Sequence, residues 1–358
     1  MDEPGTMKDK VVIAISGGVD SSVAALLLKE QGHEVVGITM CLGVAAEEGG
    51  HTKCCGPREI EDARRVCQML EIPHYTMDFS GDLEEHIVRP FIDEYARGRT
   101  PNPCVACNRH IKFGTLLDKV TAMGFDFIAT GHYARLEKKG GRSALSLSKE
   151  TRKDQTYFLH AIKRETLDRI RFPLADLTKE EVRQIARKHR LPVSDKQESQ
   201  DICFIPEEGY GAFLRTRSID VKPGEFVDCA GQVLGIHRGF ALYTLGQRAR
   251  LGGWSGEPLY VLGIDARKNR VVVGGKANLM SPGLVADRVN LLVDNLPARA
   301  IAKIRYAHRG SACTVSLDGD LLRIVFDEPQ EAITPGQYVV LYDDGVVLGG
   351  GVIQEVLN

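Results

Sequence analysis

Short apolar runs recur through the first third of the chain, with amphipathic stretches between them. Val11–Ile15, Glu34–Met40, His74–Asp78 and Phe127–Gly131 read as strands. Val23–Gln31, closed by Gly32, and then Glu59–Leu70, Leu83–Arg97 and Phe113–Met123 carry helical spacing. Strands separated by helices predict an α/β fold, a parallel sheet with helices on both faces. Ligands of such sheets collect at the carboxyl ends of the strands. Gly43–Gly56 has paired glycines and no period, and is expected to be a mobile loop near that edge.

Residues 136–205 carry basic loops and helical segments, Thr178–His189 among them, and the period changes near Pro206. Glu225–Gly235, Leu259–Val273 and Ala300–Val356 alternate apolar and polar positions, with Asp-Gly turns at Asp318-Gly319 and Asp344-Gly345. One or two small β-barrel-like modules are expected there. Boundaries near 208 and 283 give three domains, at 1–208, 209–282 and 283–358. A chain of 358 residues is long enough for that division.

With 43% apolar and 26% charged residues, the composition is that of a soluble globular protein. No apolar stretch reaches membrane-spanning length and no charged-then-apolar leader opens the chain, so a cytoplasmic protein with no membrane partner is expected. The nine cysteines are then reduced thiols, metal ligands or catalysts. A net charge of −2 gives no global nucleic-acid signature, and DNA is not an expected partner. Residues 135–171 depart from that balance. Eleven cations stand against five carboxylates, a local charge of +6 suited to tracking phosphates or simply to a solvated face.

The first predicted strand runs into Ser16-Gly17-Gly18-Val19-Asp20-Ser21-Ser22 and then a helix. Free N–H groups, the helix dipole and serine hydroxyls make such a turn an anion cradle, and its glycines let a phosphate come close. The lysine of a Walker A loop and the third glycine of a dinucleotide fingerprint are both missing. Asp20 would repel a phosphate unless a divalent cation stood between them, which implies magnesium. An ordinary helix cap is the plain alternative.

Pro101-Asn102-Pro103-Cys104-Val105-Ala106-Cys107 sets a Cys-x-x-Cys pair behind two stiffening prolines. Cys203 lies within Ser199–Ile205, and Cys54-Cys55 form a vicinal pair. A structural zinc would need four ligands and no second Cys-x-x-Cys exists, so sulfur chemistry is the better reading. Cys41, Cys67, Cys229 and Cys313 have no spaced partners and read as packing or surface residues. Gly131 would admit a base or ribose beside the opening loop, and His132 is either a substrate contact or a satisfied interior histidine.

Seven separated motifs in order resemble the bacterial tRNA-specific 2-thiouridylases of the MnmA type. They are Ser16–Ser22, Gly98–Pro103, Ala129–Tyr133, Lys153–Phe158, Ile202–Ile205, Thr244–Arg248 and Thr334–Gln337. The resemblance implies an adenine-nucleotide α-hydrolase-like (PP-loop ATP pyrophosphatase) domain, a central β-rich module and a C-terminal β-barrel. It also implies ATP-dependent adenylation of C2 of the wobble uridine in tRNA, then replacement of that oxygen by sulfur to give 2-thiouridine, AMP and pyrophosphate. Ala14, Ile15, Ser16, Gly17, Gly18, Val19, Asp20, Ser21, Met40 and Gly131 would hold ATP. Asn102, Pro103 and Cys104 would face a base flipped from its stack. His132, Lys153, Asp154, Gln155, Arg305, Tyr306 and Gln337 would contact tRNA.

Cys107 and Cys203 match the family's two catalytic cysteines, while Cys104 stands where an aspartate is usual. The three-cysteine set resembles that of thiolases binding a 4Fe–4S cluster with one iron open to sulfide, and the cluster is the expected arrangement. The competing expectation is a persulfide relay. Cys203 takes sulfur from a donor protein, sulfide being the partner of the cluster arrangement, and Cys107 releases product by forming a disulfide with Cys203. Two other functions compete, a small-molecule ligase using the same loop and a non-catalytic tRNA- or metal-binding protein.

Overall fold

The computed structural model describes residues 8–43, 56–197, 202–206, 208–217, 221–251 and 256–357. The mobile loop expected between Gly43 and Gly56, with Cys54 and Cys55, lies outside the described residues. The chain divides into two compact units. One holds residues 1–86, 104–204 and 345–347, and the other 87–103, 205–344 and 348–358.

In the first unit, β1 (Lys10–Ala14), β2 (Glu34–Cys41), β3 (His74–Asp78), β4 (Phe127–Thr130), β5 (Arg135–Lys139), β6 (Arg142–Ser146) and β7 (Ile170–Arg171) follow in order. Five of them form a parallel sheet in the order β3-β2-β1-β4-β7. β1 is central and covered on both faces, which is why Val11, Val12 and Ile13 form a continuous apolar run. Val23, Ala24 and Leu28 of helix α1 (Val19–Glu30) share one core with Ala63, Val66 and Cys67 of α2 (Pro57–Met69) and with Val182 and Ala186 of the helix Lys179–Lys188, which packs on α1. The chain leaves β1 for β2 on one side, while β4 lies on the other. The sheet therefore has its switch point between β1 and β4, where Ser16–Gly18 and Gly131–Tyr133 emerge.

Two helices depart from their expected form. Leu83–Arg97 is a short helix Ser80–Leu83, a wide π turn Glu84–Val88 and an α-helix Arg89–Ala96 with Pro90 in its first turn. Phe113–Met123 begins earlier, as a π-helical stretch Cys107–Leu116 that kinks at Gly114 (φ −110°, ψ −106°) before the helix Leu117–Ala122. Among the described residues no helix is long and apolar enough to cross a membrane.

The second unit holds β8 (Gly224–Val227), β9 (Val233–His237), β10 (Arg248–Ala249), β11 (Leu259–Asp265) and β12 (Arg270–Gly274), a sheet ordered β10-β11-β12-β8-β9 around Phe226, Val261, Val271 and Val273. β13 (Met280–Leu291), β14 (Arg299–Lys303), β15 (Ser311–Asp318), β16 (Leu321–Glu331), β17 (Tyr338–Asp343) and β18 (Val346–Leu357) then close a six-stranded barrel through the β13–β18 pairing. Leu322, Ile324 and Phe326 of β16 alternate inward, as a period of two requires. Asp344 and Gly345 both take positive φ (44° and 75°), the type I′ hairpin expected of an Asp-Gly pair.

Candidate functional site

The phosphate loop begins where β1 ends. Gly17 has φ +69°, and a Cβ there would stand 2.4 Å from the Glu59 carbonyl oxygen of α2, so only glycine fits. Gly18 caps α1 with extended backbone and no side-chain cap, leaving the helix N-terminus to its own N–H groups. The Ser22 hydroxyl donates back to the Gly18 carbonyl at 2.7 Å, and Ser16 Oγ and Ser21 Oγ lie 3.3 Å apart. The hydroxyls thus stiffen the turn from inside.

Asp20 is already paired. Lys179 Nζ donates to its two carboxylate oxygens at 2.7 and 2.8 Å, and the Tyr133 hydroxyl donates to Oδ1 at 2.8 Å. A counter-charge on the chain itself therefore stands beside the carboxylate from which the sequence argument inferred magnesium. Lys179 is placed by a capping box, Thr178 with Glu181, at the start of its helix. Its amide also donates to Glu150 Oε2 at 2.9 Å.

Gly131 packs directly against the phosphate loop. A Cβ on it would lie 2.6 Å from the Ser21 amide nitrogen and 2.7 Å from the Asp20 carbonyl carbon. His132 accepts or donates to Thr130 Oγ1 at 2.7 Å and packs near Phe113 and Phe172. Desolvation, then the nearby Lys112 charge, hold its imidazole well below the ordinary histidine range, so it is neutral at physiological pH. Ala14, Ile15 and Met40 lie on β1, just beyond it and on β2, with the Ile15 amide donating to the Ile38 carbonyl at 2.9 Å.

Pro103–Ala106 forms one helical turn leading into the π-helical stretch, so Cys104 and Cys107 sit three apart on one face. Cys104 is exposed, and Cys107 and Cys203 are half-buried. No disulfide links the described cysteines. Among the described residues no group of three His, Cys, Asp or Glu side chains is placed to hold a metal ion, so Cys104, Cys107 and Cys203 do not form a ready-made cluster site. Cys67 and Cys313 are buried thiols pushed up to about 12 and about 11 by desolvation, which makes them packing residues.

Several residues expected at tRNA are also bonded within the chain. Asp154 is buried and accepts from the amides of Ser148 (3.0 Å) and Thr156 (3.1 Å). Gln155 exchanges bonds with Tyr133, its Oε1 accepting from the Tyr133 amide at 3.0 Å and its amide donating to the Tyr133 carbonyl at 2.8 Å. In the second unit, Gln337 Nε2 donates to the Thr100 carbonyl at 2.9 Å and Arg305 donates to the Glu331 carbonyl at 3.1 Å, while Tyr306 is exposed. Asn102 precedes the Pro103 turn, and Lys153 is half-buried beside Asp154. The basic stretch 135–171 is partly neutralised, since Arg135 pairs with Asp176, Lys138 with Asp168 and Lys149 with Glu181. The sequence reading missed Lys179 and gave Tyr133 no role, because only folding brings either to Asp20.

Three family models match the chain. They are the tRNA methyl transferase HUP domain over residues 9–207, the tRNA methyl transferase PRC-barrel domain over 212–275 and the aminomethyltransferase beta-barrel domain over 281–353. The chain is 53% identical over 352 residues to the tRNA-specific 2-thiouridylase MnmA 1 of Syntrophus aciditrophicus, covering 98% of this chain and 94% of that protein. It is 47% identical to the tRNA-specific 2-thiouridylase MnmA of Carboxydothermus hydrogenoformans over 98% of this chain and 99% of that one. The protein of the same name from Clostridium perfringens is 44% identical over the same shares.

Proposed function

This chain belongs to the tRNA-specific 2-thiouridylases, and from that premise we propose that its phosphate loop and its cysteines divide the reaction between activation and sulfur delivery. The enzyme makes 2-thiouridine in tRNA, using ATP. The uridine C2 oxygen is a poor leaving group, so it attacks the α-phosphate of ATP and pyrophosphate departs. The observation that carries this is the strand–turn–helix at Ser16–Ser22, with Gly17 in left-handed geometry and the N-terminus of α1 without a side-chain cap. The nucleotide residues are Ala14–Ser21, Met40 and Gly131. Magnesium would accompany ATP as the counter-ion of its polyphosphate and would offset the charge on departing pyrophosphate.

Sulfur then attacks the adenylated C2 and AMP leaves with the former carbonyl oxygen. In the persulfide route the terminal sulfur of a Cys203 persulfide forms the C2–S bond. The Cys107 thiolate breaks the S–S bond, leaving 2-thiouridine and a Cys107–Cys203 disulfide that an external thiol reduces. The sulfur donor of this route is a persulfide-bearing protein, which passes its outer sulfur to the Cys203 thiolate and keeps its own thiolate; sulfide would serve only the cluster alternative, in a reducing cytoplasm. The 4Fe–4S alternative draws on the third thiol, Cys104. Among the described residues these three thiols are not placed as a metal-holding group, and the persulfide relay is the route taken here. tRNA is contacted by Asn102, Pro103, His132, Lys153, Arg305 and Tyr306, with Asp154, Gln155 and Gln337 shaping the surface around them.

The test is pyrophosphate release and nucleoside analysis with purified tRNA. Asp20→Ala and Cys203→Ala should both abolish thiolation, and pyrophosphate release that ignores tRNA would overturn the assignment. Cys104→Asp discriminates the sulfur routes. Retained thiolation supports the persulfide relay, whereas loss of anaerobically assayed iron together with activity supports the cluster.

A further inference from the structure

Lys196 belongs to none of the motifs above, yet its ammonium reaches the phosphate loop. Nζ donates to the Gly17 carbonyl at 3.1 Å and to Asp62 Oδ2 at 2.6 Å, with Glu59 Oε1 at 3.9 Å. All four residues lie in the first unit. The three side chains are largely shielded, at 25% exposure for Lys196, 17% for Asp62 and 22% for Glu59. The lysine backbone is pinned as well, its amide donating at 3.0 Å to the carbonyl of Val193, a core residue.

A trans peptide is planar, and its C=O and N–H point opposite ways. A Gly17 carbonyl drawn toward Lys196 therefore turns the Gly18 N–H to the other side. The Gly17–Gly18 peptide has no Cβ on either flank and resists flipping less than any other kind. Flipped, it would offer a carbonyl oxygen where an anion needs a donor. We propose that Lys196, held by Asp62, is a positioning residue that locks this peptide with the Gly18 N–H presented to the polyphosphate of ATP. The proposal rests on Ser16–Ser22 being the ATP loop. It gives Lys196 no direct contact with phosphate.

Calorimetric titration of the full chain with magnesium–ATP, without tRNA, tests it. Lys196→Met should raise Kd by about tenfold or more, the cost of one misdirected charge-assisted donor. Affinity for tRNA and the melting temperature should stay near wild type. Lys196→Arg should restore most of the affinity, and Asp62→Asn, which releases the lysine, should weaken ATP binding in the same direction. Unchanged ATP affinity in Lys196→Met overturns the proposal. So does a joint fall in ATP affinity, tRNA affinity and melting temperature, which would mark a general structural prop. Tighter ATP binding in Asp62→Asn also overturns it, since it would make Lys196 a direct phosphate ligand. Wild-type protein that binds no ATP would instead bring down the reading of the loop, and this proposal with it.

Discussion

Asp20 carries a negative charge into a turn built for anions, and Lys179 makes that tolerable. The lysine side chain is only 11% exposed, so its pairing with Asp20 is weakly screened. Lys179→Met would leave the carboxylate facing the incoming triphosphate. Its KM for ATP in tRNA-dependent pyrophosphate release should rise by about tenfold, as the loss of one close charge pair implies. Adding Asp20→Asn to that variant should recover part of the ATP affinity, because the repulsion disappears with the charge. A glycine gives a second test. Gly131→Ala would force a Cβ to 2.6 Å from the Ser21 amide nitrogen, a backbone atom that cannot swing away. It should cost about 1–3 kcal/mol by denaturant unfolding and weaken ATP binding. Gly81→Ala meets nothing within 4 Å in the helix Ser80–Leu83, so it should hold or slightly raise stability and leave ATP binding unchanged. The glycines of the loop were legible from their spacing, and the reason for Gly131 was not. Its neighbour is a backbone segment 110 residues earlier, and Lys179 lies 159 residues from Asp20.

At the scale of elements, the helix Lys179–Lys188 places Lys179 through its first turn. The Thr178 hydroxyl accepts from the Glu181 amide, and the Glu181 carboxylate accepts from the Thr178 amide. The Lys149 ammonium, then Thr178, hold the Glu181 carboxyl down at about 2. A carboxyl depressed in the folded state stabilises fully above its unfolded pKa of 4.5 and loses that contribution as pH falls toward about 2. Glu181→Gln should therefore melt below wild type at pH 7, with the gap closing between pH 4.5 and about 2. A gap of constant size across that range would mean the charge is not what matters. Thr178-x-x-Glu181 is readable in sequence, as were β1 to β4, because each depends on neighbours in the chain. The π-helical stretch Cys107–Leu116 was not readable. Its kink at Gly114, where a Cβ would lie 2.9 Å from the Arg109 carbonyl oxygen, is a backbone fit that no hydrophobic period encodes.

At the scale of the molecule, residues 87–103 lie in sequence within the first α/β region and in space with the second unit. Phe91 and Tyr95 are buried there, Tyr95 stacking on Tyr210 at 5.7 Å and Phe91 meeting Phe213 at 6.3 Å. Gly98 fits beneath Ile264, where a Cβ would come within 2.6 Å of its side chain. Arg99 donates to the Ile353 carbonyl at 3.0 Å, and Thr100 is bonded through its amide to the Pro335 carbonyl at 3.1 Å and through its carbonyl to Gln337 at 2.9 Å. Gly98-Arg99-Thr100 and Pro335-Gly336-Gln337 read in sequence as two separate motifs, yet they are two halves of one contact. Residues 87–103 thus belong to the second unit although they precede residues 104–204 of the first, and a cut at the change of hydrophobic period should fail. A fragment of residues 1–208 keeps Phe91, Tyr95 and Arg99 but loses Tyr210, Phe213, Ile264 and the barrel strands that cover them. Two buried aromatic side chains exposed together make an apolar patch that promotes association. Light scattering and dye binding should find that fragment aggregated under conditions where the full chain is monodisperse. Phe91→Ser with Tyr95→Ser should return it to solution. A fragment that is monodisperse without those changes would mean that residues 87–103 find other cover and that their place with the barrel is not obligatory.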